Sequence, residues 1–378
     1  MSRLDAGTTP FPHEEAVTRA RQSLLWTGQP DAAWSIVLEA QLSEPLDPDL
    51  LDRRLGAASE LVPALGPPAR TRRIERAELA EVRCEFADAP YADSGPAIRV
   101  AVANDAGAAL LLAGHHGALD GLGLVALLGA ALEAPVTSSV RGIGPDPAVP
   151  WRPLAIAARL REAVFAPPAR VVPARRDVAS LGDRLVAAPA AGLAGGTATL
   201  AAAGMRAVRR WNQAHGRTTR RPVVAVGASR RGGAPPVLTH EAAWLRLAPT
   251  ADDDASVRIA LERALPERVG GGPRLPRPLG AAARRAAEQL GSTLLVSNVG
   301  VLHGPDQLRS VAFVPKAYGR TAVALGGATV AGTSTVSLRV RARDFAEDEA
   351  QHLLAEVIRQ LPVAPASGPA PTTTATGG

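Results

Sequence analysis

Two adjacent histidines and an aspartate lie in an apolar stretch of the sequence as His115, His116 and Asp120, followed by Gly121. Histidine is the side chain whose ordinary pKa lies nearest neutrality, so it can accept a proton from a weak nucleophile. An aspartate buried in such a segment needs a cationic partner, because an unpaired buried charge is costly. The pattern predicts a histidine that acts as a general base and an aspartate held in an ion pair.

The sequence around these residues predicts a strand that ends at the histidines and a helix that follows them. Residues 98–103 and 108–113 are short apolar runs separated by a polar loop, which is typical of a β-hairpin. Residues 122–132 are uniformly apolar and long enough for a buried helix. Adjacent side chains at a strand end point to opposite faces, so His115 and His116 should not share a task.

Strands alternate with helices in both halves of the chain, which favours an α/β fold built from two mixed layers. Near the start, residues 34–42 alternate like a half-buried strand, and Asp47 with Pro48 begins a helix. A helix in the second half is predicted to begin at Thr197. The other elements predicted there are strands at 222–226, 294–301, 310–314, 322–325 and 335–340, and helices at 256–265 and 347–361.

The 378 residues exceed what one hydrophobic core usually serves, which favours two subdomains. Repeated prolines weaken the pattern before residue 196 and mark an interdomain region. We predict an N-terminal subdomain at 1–165, a linker at 166–196 and a C-terminal subdomain at 197–362. Residues 363–378 are predicted to be a flexible tail, because their Ala, Pro, Thr and Gly cannot build a core.

Composition argues against several classes of protein. Aromatic residues make up only 3%, so base stacking is poorly supplied, and no nucleic-acid module is recognised. The net charge of +6 favours an acidic protein or a phosphate-bearing acyl carrier as partner. Cys84 is the single cysteine and no leader pattern is present, so a cytoplasmic location is predicted. Residues 185–205 carry no charge but are mostly Ala and Gly, which predicts a loop and a buried helix, with no stable membrane insertion.

A second string with histidine resembles part of a metal-binding motif. His240 and Glu241 begin the sequence HEAAW, which starts like the zinc-binding helix of a metalloprotease. Trp244 stands where the second histidine of that motif is required, so the face of such a helix lacks its second ligand. No metal site is predicted.

The string HHGALDG at 115–121 resembles the HHxxxDG signature of the superfamily of condensation domains and chloramphenicol acetyltransferase-like acyltransferases. The nearest resemblance is to free-standing condensation or wax ester synthase-like acyltransferases. Residues 223–230 look like the family's strand that ends in an arginine, and LVSNVG at 295–300 looks like its serine-asparagine segment. The resemblance covers residues 17–361, and the histidine motif is its most specific part.

This resemblance implies a fold of two chloramphenicol acetyltransferase-like subdomains, each a mixed sheet with helices, arranged as a V with a central tunnel. It implies that His116 is the general base, with His115 and Asp120 as the other polar residues of the catalytic motif. Asp120 would pair with an arginine, for which Arg230 is the first choice and Arg231 the second. The substrate-binding residues implied are Gly121, Ser297 and Asn298.

The function implied is transfer of an acyl group from a thioester to an amine or hydroxyl acceptor in natural product biosynthesis. The donor would be acyl-CoA or an acyl-phosphopantetheinyl carrier protein, and the acceptor a small molecule, with no cofactor, metal or nucleic acid involved. An alternative is a noncatalytic condensation-like domain that binds an acyl carrier protein or another partner. The two hypotheses differ in whether acyl transfer depends on His116.

Overall fold

The structure is a computed structural model, and it describes residues 33–92, 95–105, 107–144, 161–162, 165–191, 193, 196–267, 291–316 and 323–362. Within these residues, thirteen strands form two mixed sheets, and six α-helices pack on them. The predicted α/β class with two mixed sheets is therefore confirmed. The predicted tail at 363–378 lies outside the described residues.

The elements before the predicted linker are, in chain order, β1 Ser35–Leu42, α1 Pro48–Leu61, β2 Thr71–Arg73, α2 Leu79–Asp88, β3 Ile98–Ala103, β4 Ala108–His115, α3 Gly121–Leu132 and β5 Thr137–Ser138. Short 3-10 helices follow α1 and β2, at Pro63–Leu65 and Arg76–Glu78. The remaining elements are β6 Asp183–Ala190, α4 Gly196–Ala214, β7 Val224–Ser229, β8 Ala242–Leu247, α5 Asp254–Arg263, β9 Pro266–Glu267, β10 Leu294–His303, β11 Leu308–Val314, β12 Val323–Val330, β13 Thr333–Arg341 and α6 Glu347–Arg359.

The two sheets do not follow the division of the chain into halves. The first sheet has the strand order β11-β1-β4-β3-β2, and the second has the order β6-β13-β12-β10-β7-β8-β9, with β5 beside β10. The strand β11 comes from the predicted C-terminal subdomain, yet it pairs antiparallel with β1, so that Val37 lies opposite Val314. The first sheet is thus completed by a strand from the second half of the chain.

The stretch 166–196, predicted as a linker, contains the edge strand β6, which pairs antiparallel with β13 along its whole length. Its first four residues include two charges and its last four are Ala and Pro, so it lacks the apolar alternation from which strands are predicted. The helix α2 and the strand β8 were also not predicted. Apolar residues of α2 recur at helical spacing and are buried, at Leu79, Val82 and Phe86.

The helix α3 lies directly after the histidine motif, and its sequence explains its place in the fold. Asp120 is its N-cap and accepts a hydrogen bond from the Gly123 backbone N–H at 2.7 Å. Eight of its twelve residues are buried, in the core that also contains α1 and one face of the first sheet. Burying a leucine of this kind stabilises a fold by about 1.5–3 kcal/mol, so α3 is a rigid support for the motif at its start.

The two sheets approach each other closely at a glycine of β12. An ideal Cβ at Gly326 of β12 would lie only 1.8 Å from the carbonyl oxygen of Phe313 in β11. Any larger residue at this position would therefore push the two strands apart. The close approach places the end of β11 beside the middle of the second sheet.

Candidate functional site

The backbone at the end of β4 fixes the position of His116. Its N–H donates to the Trp34 carbonyl at 2.6 Å, and its ring Nδ1 lies 2.9 Å from the carbonyl oxygen of Leu119. Because a carbonyl oxygen can only accept, Nδ1 carries the proton in this hydrogen bond. The other ring nitrogen, Nε2, is then the atom that can accept a proton.

The environment keeps the His116 imidazole neutral. Burial lowers its pKa, while the hydrogen bond to Leu119 and the negative charge of Asp120 act in the opposite direction and are weaker. The residue is only 7% exposed. A histidine that is neutral at neutral pH is in the form that a general base requires.

Aromatic rings surround the His116 ring. Trp34 lies edge-on to it with the ring centres 5.1 Å apart, His240 lies at 5.2 Å, and Trp244 at 6.3 Å. These contacts come from the start of β1, from the β7–β8 loop and from β8. The imidazole is therefore held in a fixed plane by residues of both sheets.

His115 occupies the opposite side of the first sheet. Its ring lies edge-on to Tyr91 at 5.1 Å, and its Nδ1 accepts a hydrogen bond from the Gly117 backbone N–H at 3.1 Å. This hydrogen bond closes the turn that follows the motif histidines. These contacts make His115 a packing residue of the motif, whereas its predicted place among the catalytic residues stays a prediction.

Asp120 is buried and fully hydrogen-bonded. Both of its carboxylate oxygens lie 3.0 Å from Nη1 of Arg231. Its Oδ1 also accepts from the Gly123 N–H, and its Oδ2 from the Glu241 N–H at 2.9 Å. The four hydrogen bonds engage both carboxylate oxygens, which agrees with a structural ion pair, while the role of Asp120 in the reaction stays a prediction.

The partner of Asp120 is Arg231, and the first choice from the sequence, Arg230, is wrong. The strand β7 ends at Ser229, and the Arg230 backbone N–H still donates to the Glu241 carbonyl at 2.9 Å, as in the ladder with β8. Arg231 is therefore the residue whose side chain turns toward the start of α3. The segment 223–230, which resembles a strand that ends in an arginine, runs one residue past the end of β7, and the resemblance therefore indicates Arg230 instead of Arg231.

A cavity lies beside His116, between the two sheets. The space in it that can hold water-sized molecules is about 50 Å³. Its walls come from β1, α3, β7, β8, β10 and β11, and the predicted substrate-binding residues Gly121, Ser297 and Asn298 are among them. The structure thus brings these three residues and His116 to one cavity, while the V-shaped arrangement and the tunnel stay predictions.

Two of the predicted substrate-binding residues have structural reasons for their identity. A Cβ at Gly121 would lie 2.9 Å from the tip of the Phe313 ring, so a larger residue between α3 and β11 would displace that ring. The Asn298 side chain accepts from the Gly300 N–H at 2.9 Å, at a shift in the register of β10 and β12 where Gly300 has a φ of 79°. Asn298 therefore shapes a bulge at the cavity wall.

Sequence reasoning missed several residues of the site. Trp34, His240 and Trp244 contact the His116 ring but are distant from it in the sequence. Lys316, the only lysine in the chain, lies at the cavity wall and is 9% exposed. A single lysine in a sequence that otherwise uses arginine is unusual and singles out Lys316. It does not indicate where Lys316 lies in the fold.

The fold is similar to those of solved natural-product enzymes. The starter condensation domain of rhizomide synthetase RzmA, solved as a mutant with C8-CoA and Leu-SNAC, matches with a TM-score of 0.58 at 13% identity, over 90% of this chain and 92% of that one. The first condensation domain of the calcium-dependent antibiotic synthetase matches with a TM-score of 0.59 at 14% identity, over 93% and 95%. The fold is that of the condensation domains.

A third match is the SgcC5 protein from Streptomyces globisporus, with a TM-score of 0.53 at 16% identity, over 93% of this chain and 98% of that one. No protein-family model matches the sequence, and no curated protein is significantly similar to it. At these identities the likeness shows the condensation-domain fold alone, and the function has to be argued from the site.

The condensation-domain fold also accounts for two stretches that suggested other functions. In the uncharged stretch 185–205, residues 185–190 belong to the strand β6, where a loop was predicted, and residues 196–205 form the first half of α4, where the helix was predicted. In the part of the chain that the structure describes, no helix has the length and apolar content that a membrane crossing requires. The HEAAW string at 240–244 runs into the strand β8, so it does not form the helix of a zinc protease.

Proposed function

We propose that the protein is an acyltransferase of the condensation type, which moves an acyl group from a thioester to an amine or hydroxyl. The observation that carries this proposal is the hydrogen bond between Nδ1 of His116 and the carbonyl of Leu119. It fixes the tautomer, so that Nε2 is the proton-accepting atom of a neutral imidazole that lines a cavity. This is the state in which a histidine activates a weak nucleophile.

The proposed reaction uses His116 twice. Nε2 takes the proton of the acceptor O–H or N–H while the acceptor oxygen or nitrogen attacks the thioester carbonyl carbon. When the C–S bond of the resulting tetrahedral intermediate breaks, the proton passes from Nε2 to the leaving sulfur. The products are an ester or amide and a thiol, and the imidazole returns to its neutral form.

The donor is proposed to be acyl-CoA or an acyl carrier protein, and the acceptor a small molecule. The similar starter condensation domain of rhizomide synthetase was solved with C8-CoA, which agrees with a thioester donor. The proposal places the enzyme in natural product biosynthesis, in the cytoplasm, and requires no bound cofactor. Movement of the surrounding rings would have to widen the cavity, since its space of about 50 Å³ is smaller than any acyl chain with its acceptor.

The test is acyl transfer by the wild type and by His116→Ala, followed by intact-mass analysis of a panel of acyl-CoA and acyl-carrier thioesters with candidate amines and alcohols. Loss of a well-placed base should lower the rate by about 10²–10⁴-fold. His303→Ala is the matched control, because His303 is exposed at the end of β10, and it should keep full activity. Circular dichroism and thermal unfolding check that both variants fold.

Two results would contradict the proposal. Undiminished transfer by His116→Ala would reject His116 as the base. If the wild type transfers no acyl group from any thioester, while an acyl carrier protein binds both the wild type and His116→Ala with equal affinity, the noncatalytic alternative replaces the enzyme.

A further inference from the structure

A second histidine lies against the proposed base. The rings of His116 and His240 are 5.2 Å apart at their centres and meet edge-to-face at 70°. His240 lies in the loop between β7 and β8 and is half-buried, whereas His116 is 7% exposed. His240 also contacts Trp34 at 6.4 Å. It therefore lies between the buried base and the solvent-exposed side of this loop.

The backbone on both sides of His240 is fastened to the aspartate of the motif. The Asp120 N–H donates to the Thr239 carbonyl at 3.4 Å, and the Glu241 N–H donates to the Asp120 carboxylate at 2.9 Å. Arg231 donates to the same Thr239 carbonyl at 3.0 Å. The ion pair of Asp120 and Arg231 thus holds the two residues that flank His240.

The start of α3 is shaped to receive this loop. A Cβ at Gly123 would lie 2.7 Å from the Thr239 carbonyl oxygen, a distance at which either the helix or the loop has to move. Glycine at this position lets the loop backbone lie directly on the helix start. The loop therefore has one position relative to His116, set by Gly123, Asp120 and Arg231.

We propose that His240 is a positioning residue for His116, held over its ring by Asp120 and Arg231, and that a proton on His240 disfavours a proton on His116. The inference rests on the proposed function, in which His116 has to be neutral. Its physical basis is the short distance between two imidazoles, which repel each other when both carry a proton.

The two imidazoles titrate as a coupled pair. Water reaches the half-buried His240 more easily, so the first proton binds there when the pH falls, and the second is repelled by it. In the described part of the chain, the other charged groups of this loop and of the α3 start are Arg230, Arg231, Glu241 and Asp120. These are two positive and two negative charges, and Lys316 at the wall of the cavity adds a positive charge that is paired with Asp183. The proton on His240 is the charge of this loop that changes near neutral pH.

The experiment is the pH profile of kcat/KM for the wild type and for His240→Phe, which keeps a ring in place but cannot take a proton. The acid limb of the variant should move to higher pH by about one unit, whatever the change in the plateau rate. His303→Phe, a change at an exposed histidine, is the matched control and should leave the limb unmoved. A purely packing role of His240 predicts no shift, and coincident acid limbs would overturn the proposal.

A second measurement does not depend on activity. Histidine labelled with ¹³C and ¹⁵N allows the ring of His116 to be titrated by NMR in the wild type and in His240→Phe, with His240→Gln as a second variant if Phe disturbs folding. The His116 resonance should titrate at higher pH in either variant. An unchanged titration overturns the inference even if the enzyme is active, whereas a shifted titration without any acyl transfer supports it while the proposed function fails.

Discussion

Two buried arginines, Arg231 and Arg339, connect parts of this fold in different ways. Arg231 reaches one carboxylate, that of Asp120, and otherwise binds Ser229, Val237 and Thr239 of its own hairpin. Its contacts therefore stay within a single loop and the helix start that the loop covers. The arrangement holds the surroundings of His116.

Arg339 lies on β13 in the second sheet and reaches into the first layer. Its Nε donates to Asp183 at 2.6 Å, and its Nη1 to the Ser35 carbonyl at 2.8 Å. Its Nη2 donates to the Ala87 carbonyl at 3.0 Å. Lys316 forms a second ion pair with Asp183. This cluster ties β13 and β6 to β1 and α2, and its Lys316 lies at the wall of the cavity beside His116.

The comparison shows that buried charge alone does not identify a functional site. Both arginine side chains are almost completely buried, and both are paired with a carboxylate. What distinguishes them is the segment that each one immobilises. Arg231 immobilises the loop with His240, beside the proposed base, whereas Arg339 immobilises strands and a helix.

Breaking the cluster of Arg339, Asp183 and Lys316 should have the largest effect on stability. Arg339→Met removes four hydrogen bonds and leaves the buried Asp183 with a single cationic partner, so the free energy of unfolding should fall by about 3–5 kcal/mol. Urea denaturation measures this loss. Arg72→Ala is the control, because the pair of Arg72 and Glu85 is half-exposed and is worth less than about 1 kcal/mol.

The outcome also separates the two arginines. Acyl transfer per folded molecule should be largely kept in Arg339→Met, because Arg339 does not line the cavity and Lys316, which does, keeps Asp183 as its partner. A fall in kcat with normal stability would show that the second cluster belongs to the functional site and would remove the distinction.

A methyl group at the contact between α3 and the β7–β8 loop should have a smaller effect. Gly123→Ala places a Cβ 2.7 Å from the Thr239 carbonyl oxygen, so unfolding should require about 1–3 kcal/mol less, and the His240 loop should be displaced. Gly56→Ala is the matched control, because its Cβ meets nothing nearer than 4.0 Å in the middle of α1. That change should be neutral or stabilising, by up to about 1 kcal/mol. Equal effects of the two changes in thermal unfolding would contradict the tight contact.

Acidification should have the smallest effect on stability, through the cluster of Arg339, Asp183 and Lys316. Arg339 and Lys316 outweigh the cost of burial and lower the pKa of Asp183 from its usual 3.8 to about 2. The ionised form is thus favoured in the folded state, and its stabilisation of about 2 kcal/mol is present above pH 4 and is lost as the pH falls toward 2. Asp88, whose pKa is raised by burial and by Asp183, acts in the opposite direction.

Stability measured between pH 5 and 2 in the wild type and in Asp183→Asn tests this dependence. The variant should be less stable at pH 5, because Lys316 and Arg339 lose their charged partner, and its stability should fall less steeply on acidification. Parallel curves for the two proteins would show that Asp183 titrates normally.

Local patterns in the sequence were sufficient for much of the frame. The strands β1, β3 and β4 and the helices α1 and α3 were predicted within a few residues, since apolar periodicity and the capping residue Asp47 of α1 are local signals. The pairing of strands is not local. The resemblance of 223–230 to a strand that ends in an arginine indicates Arg230, whereas β7 pairs with β8 only as far as Ser229 and the partner of Asp120 is Arg231.

The candidate site was predictable only as far as the motif extends. His116 and Asp120 follow from one short string, whereas His240 reaches the same place only through the β7–β8 hairpin. The strand β8 did carry a signal, because Ala243, Leu245 and Leu247 are buried at alternate positions. The sequence HEAAW, in which this strand begins, resembles a helical metal motif, and the strand pattern was therefore missed.

The strand β11 has a consequence for how the chain is made. During synthesis, β1 leaves the ribosome long before Leu308–Val314 exists, so the outer edge of β1 has no partner for most of that time. Unpaired strand edges attract other chains, and pairing between segments so far apart in sequence is slow. Nascent copies of this protein are therefore exposed to misassociation until their last quarter emerges, and slower translation would prolong that exposure.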